Sequence, residues 1–534
     1  MHAMKRLWMM FGVLLGSFML ARGQDEEVLE AAMQMTGAVS EEEADPSWVE
    51  RLEAFRLYPL RINGSRSRLL SSGLLTPYQV AAIEDYRHTS GDILSPMELS
   101  LVDGFDSGIV KALGPCLSFS SGSLPGSVDT ARVRQAALLG KAGSAFGGKY
   151  KAVADHFQSG AAWRSGDGTA HLVLEGRRNR ILIGDFNVRY GQGVAHWSGF
   201  SMSSLSSLSA FSRRSTGLTP VWSYAGTGTH RGVAWEMVSR HGSASVFLDS
   251  EGFMGSHLEW MSRNGEAGFT VYRIDREPVF SADSRWNLRG TDLFAEVVWK
   301  KGTTAGRGGL LRPFGEHFRS GLLLRVIPSG FSGKKYGEYG LALGTEYLLR
   351  GVHSASWTVD AALLPVPETD PFRWQVRSVL TWDYAFRPGW SFSLRLTERF
   401  RSFEALRSEG RLDLHYGNAP WLSNFRFHVS CVRMPGFLSY WEGGVKSGPW
   451  TAWLRFTGIH IRSWPDRIWC YERDAPGNFS VPAYYGTGGG VSLYGGWKHR
   501  FRRLTLKCYL RAEGLWRKEK PGRTGLKMQV MLDL

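Results

Sequence analysis

Cysteine is scarce in this chain. Its four cysteines, Cys116, Cys431, Cys470 and Cys508, lie far apart with no C-x-x-C pair, so no zinc-ligand spacing exists. The 14 histidines form no H-x-x-x-H or H-E-x-x-H cluster. The serine-rich run Ser201–Ser212 lacks the G-x-S-x-G elbow of a serine hydrolase. Gly488–Gly490 is an isolated glycine cluster and reads as a loop-to-strand hinge. These absences leave a lipase or protease without machinery, and they imply no metal and no cofactor. Long apolar runs are missing too. Beyond Leu20 no stretch approaches the 18 apolar residues that a membrane-spanning helix needs. The chain is therefore either soluble or a β-barrel.

The start carries an address. Met4-Lys5-Arg6 is basic, Leu7–Leu20 is apolar, and Ala21-Arg22-Gly23 offers small residues for cleavage. This is the pattern of a secretory signal peptide over residues 1–23. No cysteine stands at the cleavage position, which argues against a lipid anchor.

Beyond about Leu117 the chain alternates. Trp390, Phe392, Leu394 and Leu396 interleave with Ser391, Ser393, Arg395 and Thr397. Leu504, Leu506, Cys508 and Leu510 interleave with Arg503, Thr505, Lys507 and Arg511, and the segments 355–363 and 425–431 behave alike. A soluble sandwich also alternates. Long segments with one apolar and one charged face favour a transmembrane barrel with a polar lumen. Arg523–Leu534 resembles the terminal strand that serves as an assembly signal in outer-membrane proteins, although it closes on Leu534 rather than an aromatic residue. Residues 118–534, at roughly 20–30 residues per strand, predict about 14–20 strands. Ser198–Thr229 and Ser463–Gly486 are the candidate long extracellular loops, and Ser198–Ser212 is either a loop or a segment folded into the lumen.

Charge is split along the chain. The whole carries +15; Gln24–Pro115 carries −9, and everything beyond Pro115 carries +21. Arg395, Arg411, Arg426, Arg503, Lys507 and Arg511 fall on the polar phase of their strands. If that phase faces the lumen, two outcomes follow. The interior selects anions, or the basic residues pair with lumen carboxylates such as Asp360 and Asp413 and with lipid phosphates at strand ends.

Between Leu57 and Leu117 lie signals for two short helix–turn–helix units. Thr76-Pro77-Tyr78-Gln79 and Ser95-Pro96-Met97-Glu98 are capping boxes, and Asp106 can cap a last helix. The order Ile62-Asn63, Leu69-Leu70, Gly73, Ile83, Tyr86-Arg87, Gly91, Leu94, Glu98-Leu99, Val102-x-Gly104-Phe105 resembles the tandem helix-hairpin-helix domain of the competence DNA-receptor family. It is similar also to the corresponding segment of uncharacterised outer-membrane proteins from Bacteroidota, which carry an acidic helical leader before it. The stretch Gly184–Gly193 followed by Trp197–Phe200 resembles a segment of that same family and reads physically as a strand ending in a glycine-rich bend. The resemblance implies a small all-α tandem helix-hairpin-helix domain (57–117) behind an acidic leader (24–56), followed by a large antiparallel transmembrane β-barrel (118–534). It implies an outer membrane of a Gram-negative bacterium, with the helical domain in the periplasm. DNA-binding hairpins carry Gly-x-Gly so that two N–H groups reach a phosphate. Here the turns read Gly73-Leu74-Leu75 and Gly104-Phe105-Asp106. If DNA is bound, Arg61, Arg66, Arg68, Arg87, Gly73 and Gly104 are the contacts. The acidic balance favours instead a non-enzymatic barrel in transport or envelope assembly, partnered by membrane lipid and a periplasmic protein, with DNA uptake as the alternative.

Overall fold

The computed structural model describes residues 25–533 except 58, 122–132, 142–144, 155, 177, 200–204, 225–227, 240, 275, 332–336, 350–352, 367–369, 371, 419, 502–503 and 519–521. The signal segment, Arg503 and Leu534 lie outside the described residues.

A closed barrel of 24 antiparallel strands forms the outer shell. Its strands run from 8 residues (Phe157–Arg164) to 16 (Gly486–Phe501). The first strand, Val133–Lys141, closes the ring on the last, Arg523–Asp533, through Gln135 opposite Asp533 and Lys141 opposite Lys527. Both ends of the barrel domain thus meet at one rim, called here the terminal rim; the opposite edge is the distal rim.

The strand number exceeds the 14–20 expected because the connections are shorter than assumed. Ser165-Gly166, Arg289-Gly290 and Lys301-Gly302 each turn a hairpin alone, with positive φ at both residues. That is the geometry a two-residue turn needs to follow the strand twist.

Alternation sorts the residues as a membrane barrel requires. Leu380, Trp382 and Leu396 stand on the outside, while Val379, Thr381 and Thr397 are buried within. Aromatics ring both edges of the exterior. Trp390, Trp421 and Trp450 lie at the terminal rim, and Trp163, Trp299 and Trp516 at the distal rim. An apolar belt between aromatic girdles is the surface that lipid covers, and no described helix is long and apolar enough to cross a membrane.

The lumen is occupied. Ahead of the barrel come helices α1 (Asp25–Thr36), α2 (Pro46–Leu57), α3 (Arg66–Ser71), α4 (Pro77–Ser90), α5 (Pro96–Leu99) and α6 (Ser107–Leu113). The caps form as their sequences indicate. Thr76 and Gln79 make the reciprocal capping box of α4, Ser95 accepts from Glu98 N at 3.2 Å, and Asp106 accepts from Ile109 N at 2.7 Å. Val28, Ala32, Trp48 and Leu52 share one apolar core with Leu69, Leu74, Ile83 and Leu113, so α1 and α2 belong to the same packed body as α3–α6. That body sits inside the ring.

Of the two candidate long loops, the first takes its luminal alternative and the second also turns inward. Leu208 and Phe211 of the first are buried against Phe294, Leu311 and Leu323 of the inner wall, and Gly217–Pro220 pairs with the end of strand Asn179–Arg189. In the second, Ile468 and Cys470 join Leu438, Tyr440 and Ile459. Apolar side chains on the inward phase, unusual for a water-filled pore, draw these segments in.

Candidate functional site

The candidate site is the contact between the barrel wall and the body that fills it. Between α1 and α2 the chain makes a tight 3-10 turn, Glu41–Glu43, flanked by Ser40 and Asp45. Its carboxylates meet four arginines from four adjacent wall strands. Glu43 receives Arg395 at 2.8 Å and Arg377 at 3.5 Å. Glu42 receives Arg411 at 2.8 Å on one oxygen, and on the other Arg426 at 2.7 Å and the backbone N–H of Tyr471 at 3.1 Å. Glu41 pairs with Arg426 at 3.1 Å. Burial alone would raise the Glu42 carboxyl, but Arg411 and Arg426 outweigh it and hold the group well below the usual carboxylate range. Glu43 is lowered in the same sense: burial raises it, and Arg395 and Arg377 overcome that.

Contacts continue around the ring. Asp45 faces Arg189 at 3.8 Å. Glu50 pairs with Lys149, yet burial still raises its carboxyl. Arg180, paired with wall residue Glu236, also donates to Ser71 Oγ at 3.1 Å. Tyr78 donates its hydroxyl to the Arg263 carbonyl at 2.7 Å, at a terminal-rim turn. Gly477 N in the second insert donates to Glu53 at 3.2 Å.

The inserts are anchored by the same chemistry. Glu296 projects from the wall and accepts the N–H groups of Gln192 at 2.6 Å, Val194 at 3.0 Å and Ala195 at 3.1 Å. Gly191, at φ +61°, brings this backbone so close that a Cβ there would meet the Glu296 carboxyl carbon at 2.9 Å. The glycine-rich bend of Gly184–Gly193 is thus a seat on a wall carboxylate. The second insert presents Glu472 and Asp474 to Arg511, and Asp474 also to Lys527.

The basic residues singled out on the polar phase point inward and are paired. Arg395, Arg411 and Arg426 take plug carboxylates, with Asp413 shared by Arg411 and Arg426. Arg511 takes the second insert, and Lys507 pairs with Asp533 at the closing seam. Arg503 lies outside the described residues. Electrically, the +21 of the barrel segment and the −9 of the leader and helical domain are complementary halves of one contact.

The residues proposed for phosphate contact are dispersed and engaged. Arg66 pairs with Glu84, and Arg87 with Asp92 at 3.1 Å. Arg61 donates to the Ser120 carbonyl at 3.1 Å, and Arg68 is half-buried on α3. Gly73 is buried beside Thr219 of the wall-side insert, and its carbonyl accepts from Arg51 at 2.7 Å. Gly104 is exposed at φ +82°, its carbonyl taken by Gln79 at 2.6 Å. The turn at Gly73 thus faces the interior of the barrel. Sequence reasoning missed Glu41–Glu43 and Glu296 as ligands. The run of three glutamates was visible only as part of an acidic total, and Glu296 carries no local signal.

No family model matches the chain, and no curated protein does. Among solved structures, the copper transporter OprC aligns at TM-score 0.44 and 10% identity, over 76% of this chain and 80% of that one. BauA, the ferric preacinetobactin receptor from Acinetobacter baumannii, aligns at 0.39 and 8% over 76% and 80%. The P pilus usher PapC translocation pore aligns at 0.37 and 8% over 76% and 98%. Scores at this level transfer neither fold detail nor cargo to the chain.

Proposed function

We propose that this protein is a non-enzymatic outer-membrane transport barrel, held shut in its resting state by its own N-terminal domain. The observation that carries this reading is the nature of the seal. The plug is joined to the wall by ion pairs and hydrogen bonds around the ring rather than by a continuous apolar interface. A polar contact exchanges for water far more readily than a fused core, as a gate requires. Closed barrels with apolar exteriors reside in bacterial outer membranes, and the secretory signal of residues 1–23 supports export to that compartment. The terminal rim then faces the periplasm with the helical domain behind it. On that domain Leu94, Met97 and Leu101 stand exposed as an apolar contact for a periplasmic protein partner.

Reconstitution in planar bilayers tests the proposal. The full chain should show little conductance. Deletion of residues 24–121, with heat-modifiable gel mobility confirming a folded barrel, should produce large, stable openings. A full chain that conducts as freely as the deletion would sink the plugged-conduit reading.

A further inference from the structure

The strands Trp374–Arg387, Trp390–Arg401, Glu404–Asn418 and Trp421–Cys431 set inward arginines face to face. Arg377 is directly opposite Arg399, Arg399 opposite Arg407, and Arg395 opposite Arg411. Like charges directly across a strand pair cost a sheet some stability, and anions lying on such a band offset that cost. The wall supplies some of these. Glu404 serves Arg399, Glu409 serves Arg407, and Asp413 serves Arg411 and Arg426. At the centre the countercharge comes from elsewhere: Arg377 and Arg395 both pair with Glu43 of the plug. Beside it, Glu42 is held as a bound ligand would be, with two guanidinium groups and one backbone N–H converging on a single carboxylate. Arg426, whose side chain is 1% exposed, is built into the wall.

Arginine stays charged at any physiological pH and offers a planar fork matched to carboxylates and phosphates; the groups it holds here are the carboxylates of Glu41–Glu43. When the plug leaves, the band loses three carboxylates at once and becomes a preorganised strip of cationic forks, facing the lumen and spaced for a multivalent anion.

We propose that this arginine band is the cargo-binding track of the opened lumen, that its cargo is a polycarboxylate, and that Glu41–Glu43 is a tethered occupant which cargo must displace. The proposal rests on the plugged-conduit reading and adds the substrate class to it. It makes ligand binding and unplugging competitive for the same four guanidinium groups, so the resting seal and the selectivity of the open state share one set of residues.

The test uses the full-length protein in planar bilayers with citrate as the probe. The triple variant E41Q/E42Q/E43Q keeps the turn's shape and removes its charge. It should conduct where the parent does not, prefer chloride over potassium in a salt gradient, and be blocked by citrate. Adding R377Q and R395Q to it should weaken citrate block by about tenfold or more, the loss of charge-assisted contacts on one carboxylate. A triple variant that stays closed, that opens without anion preference, or whose citrate block ignores R377Q/R395Q overturns the proposal. The deletion of residues 24–121 separates this from failure of the underlying reading. If that deletion conducts but shows neither anion preference nor citrate block, the cargo assignment alone falls. If it does not conduct, the conduit itself falls.

Discussion

Glu296 decides whether the first insert stays inside the barrel. Three backbone N–H groups converge on its carboxylate, together with Ser281 Oγ at 2.9 Å. Hydrogen bonds to a charged group contribute about 1.5–3 kcal/mol each, so Glu296→Ala should release the insert while leaving the wall strands paired. Gly191→Ala should act from the other side, because it adds both strain at φ +61° and a clash with the same carboxyl. The measurement is trypsin cleavage after Arg213 and Arg214 in the folded protein, and an unchanged digestion pattern in both variants would refute the anchoring role. Neither contact was legible beforehand, since about a hundred residues separate Glu296 from its donors and no local period marks it. The turn glycines were legible as a bend, and the inward phase of Arg395, Arg411 and Arg426 followed from strict alternation. What alternation does not contain is the identity of the partner. The same limit applies to the hairpin arginines. Arg66 and Arg87 each pair with a carboxylate of the domain itself, Glu84 and Asp92, and the domain with its leader is acidic. Duplex DNA titrated onto the detergent-solubilised full chain at low salt should therefore show no salt-sensitive binding; submillimolar affinity with a clear salt slope would reverse this conclusion.

The acidic turn between α1 and α2 gives the plug a defined response to pH. Its unfolded carboxyls titrate near the ordinary glutamate value of about 4.3, whereas Glu42 and Glu43 are held lower in the folded state by the wall arginines. A depressed folded value contributes stability that is fully present above the unfolded value and is lost as pH falls through the folded one. The seat should thus be intact at pH 5 and above and loosen only in stronger acid. Glu50 works against this trend, because burial raises its carboxyl and protonation relieves that cost. Its removal by Glu50→Gln should leave acid release governed by the turn alone. Protease accessibility of α1 across a pH series is the readout, and loosening already near neutrality would contradict it. Strands were the most legible elements, because each needs only a period of two. Their number was not, since Ser165-Gly166, Arg289-Gly290 and Lys301-Gly302 compress connections that were allotted more chain. The serines and glycines of the first insert suit a loop and a luminal segment equally, and those of the second suit a loop, because the few apolar residues that carry them inward, Leu208, Phe211 and Ile468, set no period.

At the scale of the whole molecule the ring must close on itself before a plug has anything to fill. Closure joins the strands Val133–Lys141 and Arg523–Asp533, the two most distant strands of the barrel domain in sequence. At the terminal end of that seam Asp533 binds Lys507 of the neighbouring strand and accepts from Gln135 of the first strand at 2.9 Å, with all three side chains buried. One carboxylate therefore ties the first strand, the last and the one beside it. Breaking a buried pair by removing one partner leaves an uncompensated charge and costs about 3–5 kcal/mol, while replacing both with apolar groups is often neutral. Asp533→Asn alone should accordingly lower the temperature at which the folded band converts to the unfolded band on a gel. The double replacement Lys507→Met/Asp533→Leu should recover much of that loss, although Gln135 would then lack its acceptor and hold the recovery short of complete. Plug deletion should leave this transition far less changed than Asp533→Asn does, because the wall strands pair with one another and not with the helices. A deletion that melts the barrel as thoroughly as the seam variant would mean that plug and ring fold as one inseparable unit, and a plug that cannot leave cannot gate.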